Sequence, residues 1–317
     1  MPGPEPFLLD CDTGIDDTLA LAWLLADPGA DLVGVSTVSG NTTAAQAARN
    51  NLDLLALAGR SGIPVAVGAH NPLRGSFAGG APHVHGSNGV GDVSLPRAAT
   101  DPLEIPGPEF IVRTAREHAG RLRVLAIGPM TNLALALALE PDLPSLVAEV
   151  TLMAGAALVP GNVTPVAEAN VHHDPEAAAA VLAAPWPVTL VAMDATMPQR
   201  LEESDRQRLL EGGPVARAAG QMLAHYFAFY EPLLGRRSSP IHDPLAAGVA
   251  TGGAVPTVAP VVHAVVDTGQ GPGRGQVICD LRGVYAGYPP QPGAHVRVVL
   301  GVHGRYADQL VSRIVAL

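Results

Sequence analysis

The sequence predicts an α/β fold: an open, mostly parallel, doubly wound (Rossmann-like) sheet with helices on both faces. Three observations predict it. Short, wholly apolar runs recur along the chain, helix-length Ala/Leu-rich segments separate them, and polar clusters follow them. Strands buried on both faces show no polar alternation, and parallel neighbours need a crossover helix. In chain order, 7–10 is the first apolar strand, and 17–26 follows with Leu19, Ala22, Trp23 and Ala26 at helical spacing. Residues 32–38 are apolar and β-branched, 43–58 helical, and 63–67 a third strand. Then come a strand at 122–127, a helix at 132–139, a strand at 150–153, a helix at 174–183 and a buried strand at 188–193.

Two stretches break this rhythm. Residues 68–107 hold eight Gly and five Pro without periodicity, and so long an irregular segment reads as a working loop. Residues 198–240 are more charged and more helical, and read as a helical insertion near the active site. Near the end, 258–266, 275–281 and 295–300 are expected to be strands, antiparallel at a sheet edge. The glycine-rich 269–275 is expected to be a hairpin loop. The simplest reading is one domain over 1–317.

Composition narrows the chemistry. All 19 basic side chains are Arg, so Schiff bases, pyridoxal phosphate and P-loop chemistry are excluded. Against 29 acidic residues they leave a formal charge of −10, which disfavours a nucleic-acid partner. Cys11 and Cys279 make neither a disulfide framework nor a zinc spacing, so a reducing, cytoplasmic setting is expected. No secretory signal and no membrane span is expected either: the longest apolar candidate, 177–193, is interrupted by Pro185 and Pro187.

In open parallel sheets, ligands bind beyond the carboxyl ends of the strands. The first strand is followed by Asp10, Asp12, Asp16 and Asp17, the second by Asn41, and the strand at 122–127 by Gly128, Pro129, Thr131 and Asn132. Asn162, Glu168 and Asn170 follow the strand ending at Met153, and His242 and Asp243 open a later helix. Four carboxylates in eight residues repel one another unless a cation neutralises them. With oxygen donors alone, that cation is hard, Ca²⁺ or Mg²⁺. His172, His173 and Asp174 look like a metal triplet but read better as a helix cap and first turn.

Residues 10–17 (DCDTGIDD) resemble the Asp-x-Asp-x-Gly-x-Asp-Asp fingerprint of the nucleoside hydrolases, inosine–uridine-preferring type. Asn41, His85-Gly86, residues 128–132, Asn162, Glu168, Asn170 and His242-Asp243 match family motifs in order. Thr13, Met130 and Ala154 depart from the commonest pattern but remove no polar functional group. The resemblance implies hydrolysis of ribonucleosides in purine and pyrimidine salvage, by a homodimer or homotetramer. It implies a Ca²⁺ site of Asp12, Asp17, the Ile127 carbonyl and Asp243, with Asp12 as base and Asn41 orienting the water. Asp16 and Asn170 would hold the 2′- and 3′-hydroxyls, Asn162 and Glu168 the 5′-hydroxyl, and Met153 would touch the ribose from the pocket floor.

The chemistry agrees with that assignment. The glycosidic bond breaks through an oxocarbenium-like sugar, so the site needs an activated water, cation stabilisation and help for the departing base. His242 matches the family's leaving-group acid, with Tyr230 and His85 as further contributors. Trp23 and Trp186 lie in no segment expected to cover the base, which argues against a purine-specific aromatic trap. Two rivals share the architecture: a metal-dependent phosphatase, which the missing lysine disfavours, and a non-catalytic nucleoside- or ribose-binding protein.

Overall fold

A computed structural model describes residues 3–317. Its centre is an eight-stranded sheet whose main strands are β1 (Glu5–Cys11), β2 (Ala30–Thr37), β3 (Val65–Val67), β4 (Leu122–Ala126), β5 (Val147–Met153) and β6 (Val188–Val191). The spatial order is Val261–Val262, Val296–Val299, β6, β5, β4, β1, β2, β3. Every pairing is parallel except that of the edge strand Val261–Val262 with Val296–Val299. The mostly parallel, doubly wound sheet is therefore as the sequence predicts.

Side chains alternate across β1. Phe7, Leu9 and Cys11 enter one apolar layer, packed with helix α1 (Ile15–Ala26), helix α2 (Ala44–Leu57) and the Pro214–Leu234 helix. Leu8 enters the other layer, under the helices Gly107–Glu117, Thr131–Leu139 and Pro175–Ala183. Leu9 is fully buried, so truncating it to Ala costs about 2–5 kcal/mol.

Several boundaries move from their expected places. The Thr43 hydroxyl accepts the Gln46 N–H and starts α2. The strand expected at 188–193 ends at Val191, because Met193–Thr196 turns helical. Val296–Val299 is a correction: it is not an antiparallel edge strand but lies inside the sheet, parallel to β6. The antiparallel pair with a glycine-rich connection does occur, between Ala264–Val266 and Val277–Cys279, and it stands outside the main sheet. Residues 198–240 hold two helices, Glu203–Leu210 and Pro214–Leu234, flanked by the paired strands Arg200–Glu202 and Ser238–Pro240. The long loop after β3 carries one short helix, Pro82–His85.

Candidate active site

The tips of β1, β2 and β4 are tied together by one buried side chain. Asp10 Oδ1 accepts hydrogen bonds from Ser36 Oγ (2.5 Å) and Asn132 Nδ2 (2.8 Å). Burial pushes this carboxyl up to about 7.

Beyond that tie, the chain turns through Gly14 into α1. A Cβ on Gly14 would press on the His85 ring and the Asn41 amide, so only glycine fits this approach. Asp16 and Asp17 fall in the first helical turn, where the dipole favours negative charge. Asp17 accepts the backbone N–H groups of Gly14 (2.7 Å) and Asp12 (3.2 Å). Asp12 Oδ2 accepts the Asn41 backbone N–H at 2.6 Å, and a Cβ on Gly40 would collide with that carboxylate. Asp243 arrives from far along the chain, in the first turn of the helix Asp243–Ala250.

One oxygen from each of Asp16, Asp17 and Asp243 lies within 4.8 Å of the other two, and all three residues are buried. Unneutralised charges at that spacing repel by roughly 3–4 kcal/mol per pair at an effective dielectric of 20. Burial first, then the neighbouring carboxylates, drive Asp12 and Asp243 well above the ordinary range. The same causes bring Asp17 to about 7. Asp12 Oδ1 and Asp16 Oδ1 are buried without any hydrogen-bond partner. Crowded carboxylates with unpartnered oxygens and no soft donor suit a hard divalent cation.

The cluster closes the floor of a cavity of about 410 Å³. Asp16, Asn41, His85, Ile127, Met153, Asn162, Glu168, Asn170, Tyr230, His242 and Asp243 all line it; Asp12 and Asp17 lie beneath. The predicted residues are thus brought together, although some have partners the sequence did not suggest. The Asn41 amide donates to Asp17 Oδ2 at 3.3 Å. Asn170 Nδ2 donates to the Ile127 carbonyl (2.8 Å) and the Met153 carbonyl (3.0 Å), which fixes its Oδ1 as the free end. Glu168 caps the helix Ala169–His173. Its oxygens accept three backbone N–H groups, from Gly155 (2.9 Å), Asn170 (2.8 Å) and Val171 (3.3 Å). Asn162 is exposed at the rim, its Oδ1 accepting the Ala169 N–H.

The roof comes from the 68–107 loop and the Pro214–Leu234 helix. His85 Nδ1 accepts the Ile15 N–H at 3.1 Å, and burial lowers this imidazole to about 3, so it stays neutral. His242 bridges Thr196 Oγ1 (Nδ1, 2.8 Å) and the Tyr230 hydroxyl (Nε2, 3.2 Å). Burial lowers the His242 pKa, while Asp16 partly opposes the shift. The Tyr226 hydroxyl donates to Asp16 Oδ2 at 3.0 Å, and its ring meets that of Tyr230 edge-on at 5.0 Å.

Sequence reasoning missed Tyr226, Phe229, Leu233, His83 and Thr196. The first three share one helical face with Tyr230, at spacings of three and four residues, a signal that was present but not tied to the strand tips. Trp23 and Trp186 are buried away from the cavity, donating to Thr251 Oγ1 and the Val181 carbonyl. Asp174 is the cap of Pro175–Ala183, as the sequence indicates.

A family model described as "Inosine-uridine preferring nucleoside hydrolase" matches residues 7–307. The chain is 37% identical over 226 residues to uridine nucleosidase 1 of Arabidopsis thaliana, a match spanning 71% of this chain and 66% of that protein. Among solved structures it is similar to a plant nucleoside hydrolase, at 28% identity and a TM-score of 0.92, covering 99% of this chain and 100% of that one. A purine-preferring ribonucleoside hydrolase from Gardnerella vaginalis superposes at a TM-score of 0.89 with 30% identity, covering 98% of each chain. The chain belongs to the inosine–uridine-preferring nucleoside hydrolase family, the N-glycosidases that hydrolyse ribonucleosides to ribose and free base.

Proposed function

We propose that this chain uses Asp12 as general base and holds Ca²⁺ at Asp12, Asp17, the Ile127 carbonyl and Asp243. Bound there, the cation would supply a partly acidified water and an anchor for the ribose diol. The observation that carries the reading is the crowd of buried carboxylates under the cavity, where oxygens of Asp16, Asp17 and Asp243 converge and Asp12 keeps one oxygen without a partner.

The residues divide the remaining work. Asp12 takes the proton that the metal alone cannot remove at neutral pH, and Asn41 orients the water. Asp16 and Asn170 Oδ1 hold the 2′- and 3′-hydroxyls, with Met153 against the sugar ring. Glu168 keeps one acceptor position beyond its three backbone partners and, with Asn162, receives the 5′-hydroxyl. The departing base lies against Tyr226, Phe229 and Tyr230, where His242 or Tyr230 delivers a proton and His85 contributes a ring N–H. An aromatic wall without a tryptophan trap supports a broad or inosine–uridine-preferring specificity.

The reading treats 1–317 as one catalytic unit, with 198–240 roofing the site. Among the described residues no helix is long and apolar enough to cross a membrane, and both cysteines are free. A cytoplasmic setting fits the free thiols. Exposed Leu158, Val265, Ile278 and Tyr285 offer apolar surface for the second copy in a homodimer or homotetramer.

The test is ribose release from inosine, uridine, cytidine and guanosine, with chelator and after adding Ca²⁺ back. Release that chelation abolishes and Ca²⁺ restores is the expected result. Binding of inosine without release, at saturating Ca²⁺, overturns the catalytic reading.

A further inference from the structure

An imidazole keeps nearly the same shape after a half-turn about its outer side-chain bond, which exchanges Nδ1 with Cδ2 and Nε2 with Cε1. Packing alone therefore does not choose which edge of the buried His242 ring faces the cavity; hydrogen bonds do. The ring makes two of them. Nε2 meets the Tyr230 hydroxyl, and both residues line the cavity. Nδ1 meets Thr196 Oγ1 at 2.8 Å, and Thr196 is fully buried and does not line the cavity.

Thr196 is held for that contact. It ends the short helix Met193–Thr196 that follows β6. A helical threonine hydroxyl often turns back to the carbonyl four residues earlier. Here the Ala192 carbonyl takes the N–H groups of Ala195 and Thr196, and Oγ1 goes to His242 instead. The helix is anchored on one side by Asp194, whose two oxygens accept the Ala157 and Leu158 N–H groups at 2.8 Å each. On the other side the Gln199 carbonyl accepts the Ile241 N–H at 2.9 Å, and Arg200 pairs with Pro240. The chain leaving Thr196 is thus tied to the chain entering His242.

We propose that Thr196 is a positioning residue for the reaction: its hydroxyl holds His242 in the one ring orientation that aims Nε2 at Tyr230 and the departing base. The inference rests on the reading, given above, that His242 assists that base. Thr196 touches no substrate atom and acts through the ring alone. Its hydroxyl both donates and accepts, so the bond holds with either tautomer of His242. Valine in its place has the same shape without the hydroxyl, which leaves Nδ1 buried and unpartnered and the ring free to turn.

The experiment measures kcat and KM for inosine and for p-nitrophenyl riboside, whose leaving group needs no proton. Thr196→Val is expected to lower kcat for inosine by about tenfold or more, part of what a positioned acid contributes, with KM unchanged and p-nitrophenyl riboside spared. Thr196→Ser, which keeps the hydroxyl, is expected to restore most of the loss. Thr196→Ala, which cannot crowd the ring, is expected to repeat the split between substrates. In a His242→Ala background, Thr196→Val is expected to cost nothing more, as an effect carried through the ring requires. Unchanged inosine turnover in Thr196→Val and Thr196→Ala, with His242→Ala impaired, overturns the inference alone. A loss shared equally by p-nitrophenyl riboside, or one that persists in the His242→Ala background, also overturns it. Full inosine turnover in His242→Ala overturns the reading of His242 and the inference with it.

Discussion

The floor and one wall of the cavity both present carboxylates, but their hydrogen bonding differs. At and just beneath the floor, Asp16 and Asp12 each keep one buried oxygen with no partner. On the wall, Glu168 has three backbone N–H groups on its two oxygens. An unpartnered buried acceptor makes a ligand obligatory, because its desolvation cost is recovered only on binding. A satisfied acceptor leaves less to recover. On the proposed placement of the ribose, the floor is the region expected to discriminate more strictly, at C2′ and C3′.

Substrate analogues sharpen that contrast most. Removing the 2′-hydroxyl is expected to lower kcat/KM by about 10⁴-fold, since it strands polar groups on the floor, while removing the 5′-hydroxyl is expected to cost less. Steady-state kinetics on the two deoxyinosines checks this, and equal penalties would erase the distinction. Asp12→Asn is expected to fold, retain ribose affinity and lose about 10⁴-fold in kcat, the upper range for a general base. Near-normal turnover in that variant would remove Asp12 from the role. Tyr230→Phe is expected to cost about 10²-fold in kcat by cutting the contact with His242, and p-nitrophenyl riboside, whose leaving group needs no proton, should escape the loss.

The smallest expected effect concerns stability. His173 is held near 4 in the folded protein, below its ordinary value of 6.5. Between those values the unfolded chain binds more protons, so stability falls as pH drops through that window. His173→Gln should flatten the decline in melting temperature between about pH 6.5 and 4, and an unchanged slope would show that the imidazole is not buried as described.

Much of this architecture was legible from the residues. The strand-tip rule collected Asp12, Asp16, Asp17, Asn41, Glu168 and Asn170, and the opening of a later helix offered Asp243; Asp10 and Asn132, collected by the same rule, instead bond each other across the strand tips. It could not reach Tyr226 or Phe229, which belong to a long helix whose apolar face reads equally well as core. Nor could it foresee that Asn170 would spend its amide on two carbonyls, since hydrogen-bond partners depend on tertiary register. The parallel insertion of Val296–Val299 was misjudged because a short apolar strand carries no mark of its direction.

That insertion also affects how the chain is made. The outer edge of β6 stays open until Val296–Val299 has left the ribosome, long after the rest of the sheet could pair. An unpaired apolar edge is a template for intermolecular pairing, so nascent or prematurely terminated chains carry an aggregation hazard that the finished molecule has covered.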